Sequence, residues 1–134
     1  MATVIRRIAS VTVTEKRREI LHAVSWQLSS GDWRPPTDVY ETEREYVVRV
    51  EVAAMREEEF EVVIENGSLL ISGFRPEIPE RRAYHQMEIR FGKFSTAISL
   101  PGPVDPDQAE ALYEDGFLVV RLPRLHAPQA GKGD

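Results

Sequence analysis

Cysteine is absent from the 134-residue chain, which excludes disulfides, thiol nucleophiles and thiolate metal sites and suits a reducing, cytoplasmic location. Long apolar runs are missing too. Arg6, Arg7 and the charged cluster from Glu15 to Glu19 interrupt the N-terminal region, leaving no signal-peptide core and no stretch of membrane-spanning length. A soluble protein with no membrane partner is expected. His22, His85 and His126 lie far apart, with no i, i+4 pair that could face a metal ion. Gly131-Lys132-Gly133 lacks the spacing and the following helix of a phosphate-binding loop, and Glu57-Glu58-Glu59 reads as a solvated acidic cluster. With no nucleophile–base constellation visible either, the chain is expected to be no enzyme and to need no cofactor.

Basic charge is in short supply outside the first residues. Residues 1–30 carry five Lys or Arg against two Glu, and the remainder carries twelve against twenty acids, giving the net charge of −5. So acidic a body repels phosphates, and no basic residues interleave with aromatics along its strands, so no nucleic-acid partner is expected.

What is present is a series of short alternating segments. Tyr46, Val48, Val50 and Val52 alternate with Val47, Arg49 and Glu51, predicting a strand with one wet face. Phe60–Glu65 and Ser68–Phe74 flank Asn66-Gly67, and two further apolar runs between Ala109 and Pro123 flank Asp115-Gly116, so each pair reads as a hairpin. Strands are also expected at Thr37–Glu41 and from Phe94 to Leu100, where Pro101-Gly102-Pro103 stops the chain. From Arg75 to Met87 the pattern breaks into a long loop with two prolines, within which 83–87 could form a short edge strand.

Before Trp33 the composition changes. Thr14–Leu28 has the pattern of an amphipathic helix with Ile20, Leu21, Val24 and Leu28 on one side, and Thr12 and Glu15 have capping-box spacing. A helix this short is marginal unless its apolar face docks, on a client, on another subunit or on its own domain. The organisation expected is an N-terminal arm, 1–32, partly helical; a β-sandwich domain, 33–124; and a short flexible tail, 125–134. Repeated short strands with turn signals place the domain among all-β folds.

Ala111-Leu112-Tyr113-Glu114-Asp115-Gly116-Phe117-Leu118 resembles the Ala-x-x-x-Asn-Gly-x-Leu signature closing the α-crystallin domain of small heat-shock proteins, with Asp115 in the Asn position. Gly92-Lys93-Phe94 with Leu100-Pro101, and the run from Trp33 to Glu41, resemble further landmarks of the bacterial type. The resemblance covers Trp33 to Arg124. It implies an immunoglobulin-like antiparallel β-sandwich and an ATP-independent stress-response holdase that binds unfolding client proteins. It also implies a homo-oligomer built on dimers, in which a loop strand, here Tyr84, His85, Gln86 and Met87, pairs with a partner's strand near Val39. In that family a groove at the sheet edges grips an Ile-x-Ile type tail. By resemblance, Phe60, Val62 and Ile64 form one wall and Ala109 and Ala111 the other, unless these residues simply fill the core between the sheets.

Two departures stand out. Thr96 occupies a position where the family usually has Arg, and no Ile-x-Ile type pair follows Pro123. Val11-Thr12-Val13 does place two β-branched side chains on one face of an extended segment, and these could occupy the groove or, as the alternative, staple the start of the helix. A co-chaperone or adaptor of the CS-domain type, docking on a defined partner, is the alternative function on the same sandwich.

Overall fold

The computed structural model describes residues 9–15 and 31–125. Two sheets face each other. One has the order β1-β8-β9-β4-β3 and the other β2-β5-β6-β7. In chain order the strands are β1 (Ala9–Val11), β2 (Val13–Glu15), β3 (Thr37–Glu41), β4 (Glu45–Glu51), β5 (Phe60–Glu65), β6 (Ser68–Arg75), β7 (Gly92–Ser99), β8 (Glu110–Glu114) and β9 (Phe117–Pro123). All ladders are antiparallel except β2 on β5. Together they form an all-β sandwich.

Both expected hairpins close through two-residue turns. Asn66 and Gly67 have φ of 53° and 83°, and Asp115 and Gly116 have the same pair of values. Positive φ at both central positions is the mirror-image turn whose twist matches that of the flanking strands. Each turn fixes its register, Glu65 opposite Ser68 and Glu114 opposite Phe117, and so decides which residues face inward. Val48, Val50, Val62, Leu69, Ile71, Phe94, Leu118, Val120 and Leu122 are thereby buried between the sheets.

One side of β4 differs from expectation. Val47, assigned by alternation to the wet face, is fully buried. In the sheet it lies between Tyr40 and Arg121, and the Arg121 guanidinium reaches along the same face to Glu45 at 2.7 Å. Long side chains lay their stems over a small apolar neighbour while keeping their charged ends in water.

A second difference concerns the N-terminal residues. Thr14 and Glu15, expected in the first turn of a helix, lie in β2. Val13 and Thr14 are β-branched, and the otherwise unpaired main chain of β5 offers them a ladder, which outweighs a marginal helix start. The rest of that expected helix, with Ile20, Leu21, Val24 and Leu28, lies outside the described residues. Among those described, the only helical pieces are single 3-10 turns at Glu57–Glu59 and Pro106–Gln108.

Aromatic rings run through the core in sequence. Trp33 meets Phe94 at 5.3 Å between centroids, Phe94 meets Phe60 at 6.1 Å, and Phe60 meets Tyr113 at 5.0 Å. Phe94 is fully buried against its cross-strand neighbour Gly73. A Cβ on Gly73 would stand 2.5 Å from Phe94 Cζ and 2.7 Å from the Glu59 carbonyl oxygen. Gly73→Ala should therefore lower stability by about 1–3 kcal/mol through overpacking. Urea unfolding measures this, and an unchanged midpoint would contradict the packing of the Phe94 ring over bare backbone.

Candidate functional site

The two sheets each leave one edge on the same side of the sandwich, β5 in one and β8 in the other, and residues 9–15 pair with both. Ala9, Ser10 and Val11 lie opposite Tyr113, Leu112 and Ala111 in β8. After Thr12 the chain changes sheets, and Val13, Thr14 and Glu15 run beside Val62, Val63 and Ile64 of β5. Val11 is 5% exposed and joins one buried cluster with Phe60, Val62, Ile64 and Ala111; Val13 and Ala109 pack against that cluster. The structure thus brings together all five residues of the expected groove and both valines. The alternative of simple core filling describes the same residues, because Val11 from the arm is itself part of that core.

Tyr113 closes one end of this region. Its hydroxyl donates to the Val52 carbonyl oxygen at 2.7 Å and accepts from the Met55 amide at 3.2 Å. The two partners bracket Ala54, whose φ of 63° is the left-handed conformation that costs a β-carbon residue about 1 kcal/mol. The phenol therefore holds the strained turn between β4 and β5. Sequence reading placed Tyr113 on a strand and gave no sign of this partner, 61 residues away for Val52.

The second region is the loop of residues 76–91. Here 83–87 forms no strand in the single chain, and Tyr84, His85, Gln86 and Met87 are all exposed. Three side chains tie the loop to itself. Arg82 pairs with Glu80 at 2.9 Å and Glu77 at 3.6 Å, and the Tyr84 hydroxyl donates to Glu77 at 3.1 Å. Gln86 donates to Glu88 at 2.7 Å. A cleft of about 420 Å³ runs along the loop, with Tyr84, Met87, Ile89 and Phe91 supplying its apolar lining.

Arg75 fastens the loop's base. It donates to the carbonyl oxygens of Arg90 and, at 3.3 Å, Ala53. Its guanidinium lies 4.6 Å from the Trp33 ring centroid and 5.3 Å from that of Phe91. This residue was missed in the sequence, where it is one of several arginines around a proline-rich stretch. Thr96, at the position where an Arg was expected, is buried, and its hydroxyl accepts from Arg34 at 3.4 Å.

Among the described residues no group of three His, Asp or Glu could hold a metal ion, and no helix is long and apolar enough to cross a membrane. The described surface offers strand edges and apolar loop residues. These can bind polypeptide through main-chain ladders and side-chain contact.

Burial raises the Tyr113 pKa above its ordinary 10.0, opposed by the Met55 hydrogen bond and by Arg75. The sign follows from the raised value: the stability contributed is complete below about pH 10 and is lost as pH rises through the folded-state pKa. Tyr113→Phe should lower stability by about 1–2 kcal/mol at neutral pH, because the Met55 and Val52 groups lose their partner. Its stability should then fall less steeply above about pH 10 than that of the parent chain. Urea melts across alkaline pH measure both, and parallel curves would show that Tyr113 does not carry the effect.

A family model described as Hsp20/alpha crystallin family matches residues 38–133. Small heat shock protein C4 of Rickettsia felis is 33% identical over 100 residues, which cover 73% of this chain but 61% of that relative's length. Heat shock protein 16 of Schizosaccharomyces pombe is 33% identical over 109 residues, covering 76% of this chain and 74% of the relative. The solved structure of Heat shock protein 16.0 from Schizosaccharomyces pombe has a TM-score of 0.66 at 31% identity, covering 77% of this chain and 97% of that one.

Proposed function

Because the chain belongs to the Hsp20/alpha crystallin family, we propose that it is an ATP-independent holdase, which binds unfolding proteins and limits their aggregation. The observation that carries this reading is the apolar surface on and beside the 76–91 loop. Phe74, Ile78, Met87 and Ile89 are 55%, 68%, 64% and 66% exposed, set among Glu77, Glu80, Arg81 and Arg82. Apolar groups held at the surface compete for the sticky segments of an unfolding client, while the surrounding charge keeps the complex soluble. On this reading the protein performs no bond-making chemistry.

The unit that does this is a dimer in which Tyr84, His85, Gln86 and Met87 add a strand to a partner's β3. Two observations support the exchange. β3 is the end strand of its sheet, with Val39 and Tyr40 exposed, and the loop presents an unpaired main chain. A ladder between the two removes an open edge from each subunit. The groove residues Phe60, Val62, Ile64, Ala109 and Ala111 act as the receptor for Val11 and Val13, which tie the arm to the sandwich.

Added to a thermally aggregating client without nucleotide, the protein should suppress light scattering in proportion to its concentration. A curve unchanged at a several-fold molar excess would remove the holdase reading and favour an adaptor for a defined partner. Separately, deleting 80–86 should leave a folded monomer by sedimentation. A deletion variant that still sediments as a dimer would rule out the exchanged strand.

A further inference from the structure

Independent of the holdase reading, the turn between β5 and β6 brings together the groups needed for a reaction of the chain with itself. Asn66 is the only asparagine in the sequence, and a glycine follows it. Both residues are exposed. Among the described residues, no hydrogen bond holds the Asn66 side-chain amide or the Gly67 main-chain N–H. Nothing stands within 4 Å of the place where a Cβ on Gly67 would be. The nitrogen next to the side-chain amide is therefore uncrowded and reached by water.

A main-chain amide that follows asparagine attacks the side-chain carbonyl readily, because the two groups sit on adjacent residues and close a five-membered ring. The Gly67 nitrogen gives up its proton and bonds to Asn66 Cγ, and the side-chain nitrogen leaves as ammonia. Water then opens the resulting succinimide. Breaking the bond from the Gly67 nitrogen to Cγ leaves ordinary aspartate. Breaking its bond to the main-chain carbonyl carbon leaves isoaspartate, in which the chain runs on through the side chain. Water is the only co-reactant.

The protein itself shows what the first product does to such a turn. Asp115-Gly116 has the same φ values, 53° and 83°, as Asn66-Gly67. In both turns the glycine carbonyl accepts a main-chain N–H from outside the hairpin, that of Leu100 at 2.9 Å for Gly67 and that of Val52 at 2.8 Å for Gly116. An aspartate at position 66 therefore fits. Isoaspartate does not, since it adds a main-chain atom between Glu65 and Ser68, whose pairing depends on a two-residue connection. β5 also carries Phe60, Val62 and Ile64, so a disturbed register reaches the seat of Val11 and Val13.

We propose that Asn66 is a site of spontaneous modification, at which the folded protein converts with age into an aspartyl form that keeps the β5–β6 register and an isoaspartyl form that loses it.

Kept folded at physiological temperature, the full-length chain should gain the mass of an amide-to-acid conversion. Peptide mapping should place the change at residue 66 in both forms, the isoaspartyl one accepting methyl groups from an isoaspartyl methyltransferase. Asn66→Gly retains a residue tolerant of positive φ but has no side-chain amide, and should lose the mass gain altogether. Stability gives the second readout. Asn66→Asp should unfold in urea at the parent's midpoint, and the isolated isoaspartyl form at a lower one. A folded parent of constant mass over the time in which the urea-unfolded chain converts would overturn the modification, and so would conversion confined to the glutamines. An isoaspartyl form with the parent's midpoint would overturn the loss of register.

Discussion

A strand at the edge of a sheet leaves main-chain donors and acceptors unpaired, and this sandwich sets two such edges, β5 and β8, side by side. Its organisation depends on how they are closed. Seven residues of the arm do so, three pairing with each edge on either side of Thr12, while Val11 enters the core between the sheets. Hydrogen bonding and burial are satisfied by the same short segment. The groove and the core at this side are therefore continuous, and the arm adds a strand to each sheet.

The opposite edges are treated differently. β7 is bridged at Trp33, and Trp33 is held in place by three kinds of contact: main-chain bonds to Lys93 and Ser95, an indole N–H donated to Gly92, and the Arg75 guanidinium over its ring. From there the ring series through Phe94 and Phe60 to Tyr113 crosses the sandwich to the strand on which β1 pairs. The base of the 76–91 loop and the arm's first ladder thus share one packed line of side chains. β3, the end strand at the far side of the other sheet, carries exposed Val39 and Tyr40.

The sequence was most legible where a local rule suffices. Asn66-Gly67 and Asp115-Gly116 identified both hairpins, because only residues tolerant of positive φ fit such turns. Alternation in Tyr46–Val52 identified the inward face of β4. It misassigned Val47, since coverage by Tyr40 and Arg121 arises from neighbours in the sheet that are far away in the chain. The spacing of Thr12 and Glu15 suggested a helix cap, and a nearby unpaired edge drew Thr14 and Glu15 into a strand instead.

By itself the sequence determined the strands from Thr37 onward and the two hairpin turns, because these follow from φ preferences and from periodicity over a few residues; the groove residues came from the family resemblance and not from periodicity. Only the tertiary structure decided that Val11 and Val13 meet opposite sheets, that Tyr113 clamps the turn at Ala54, and that Arg75 fastens the loop at Trp33 and Phe91. Each of these joins residues distant in the chain. Such contacts are selected by competition among all available edges, cavities and partners, and no local propensity encodes the outcome.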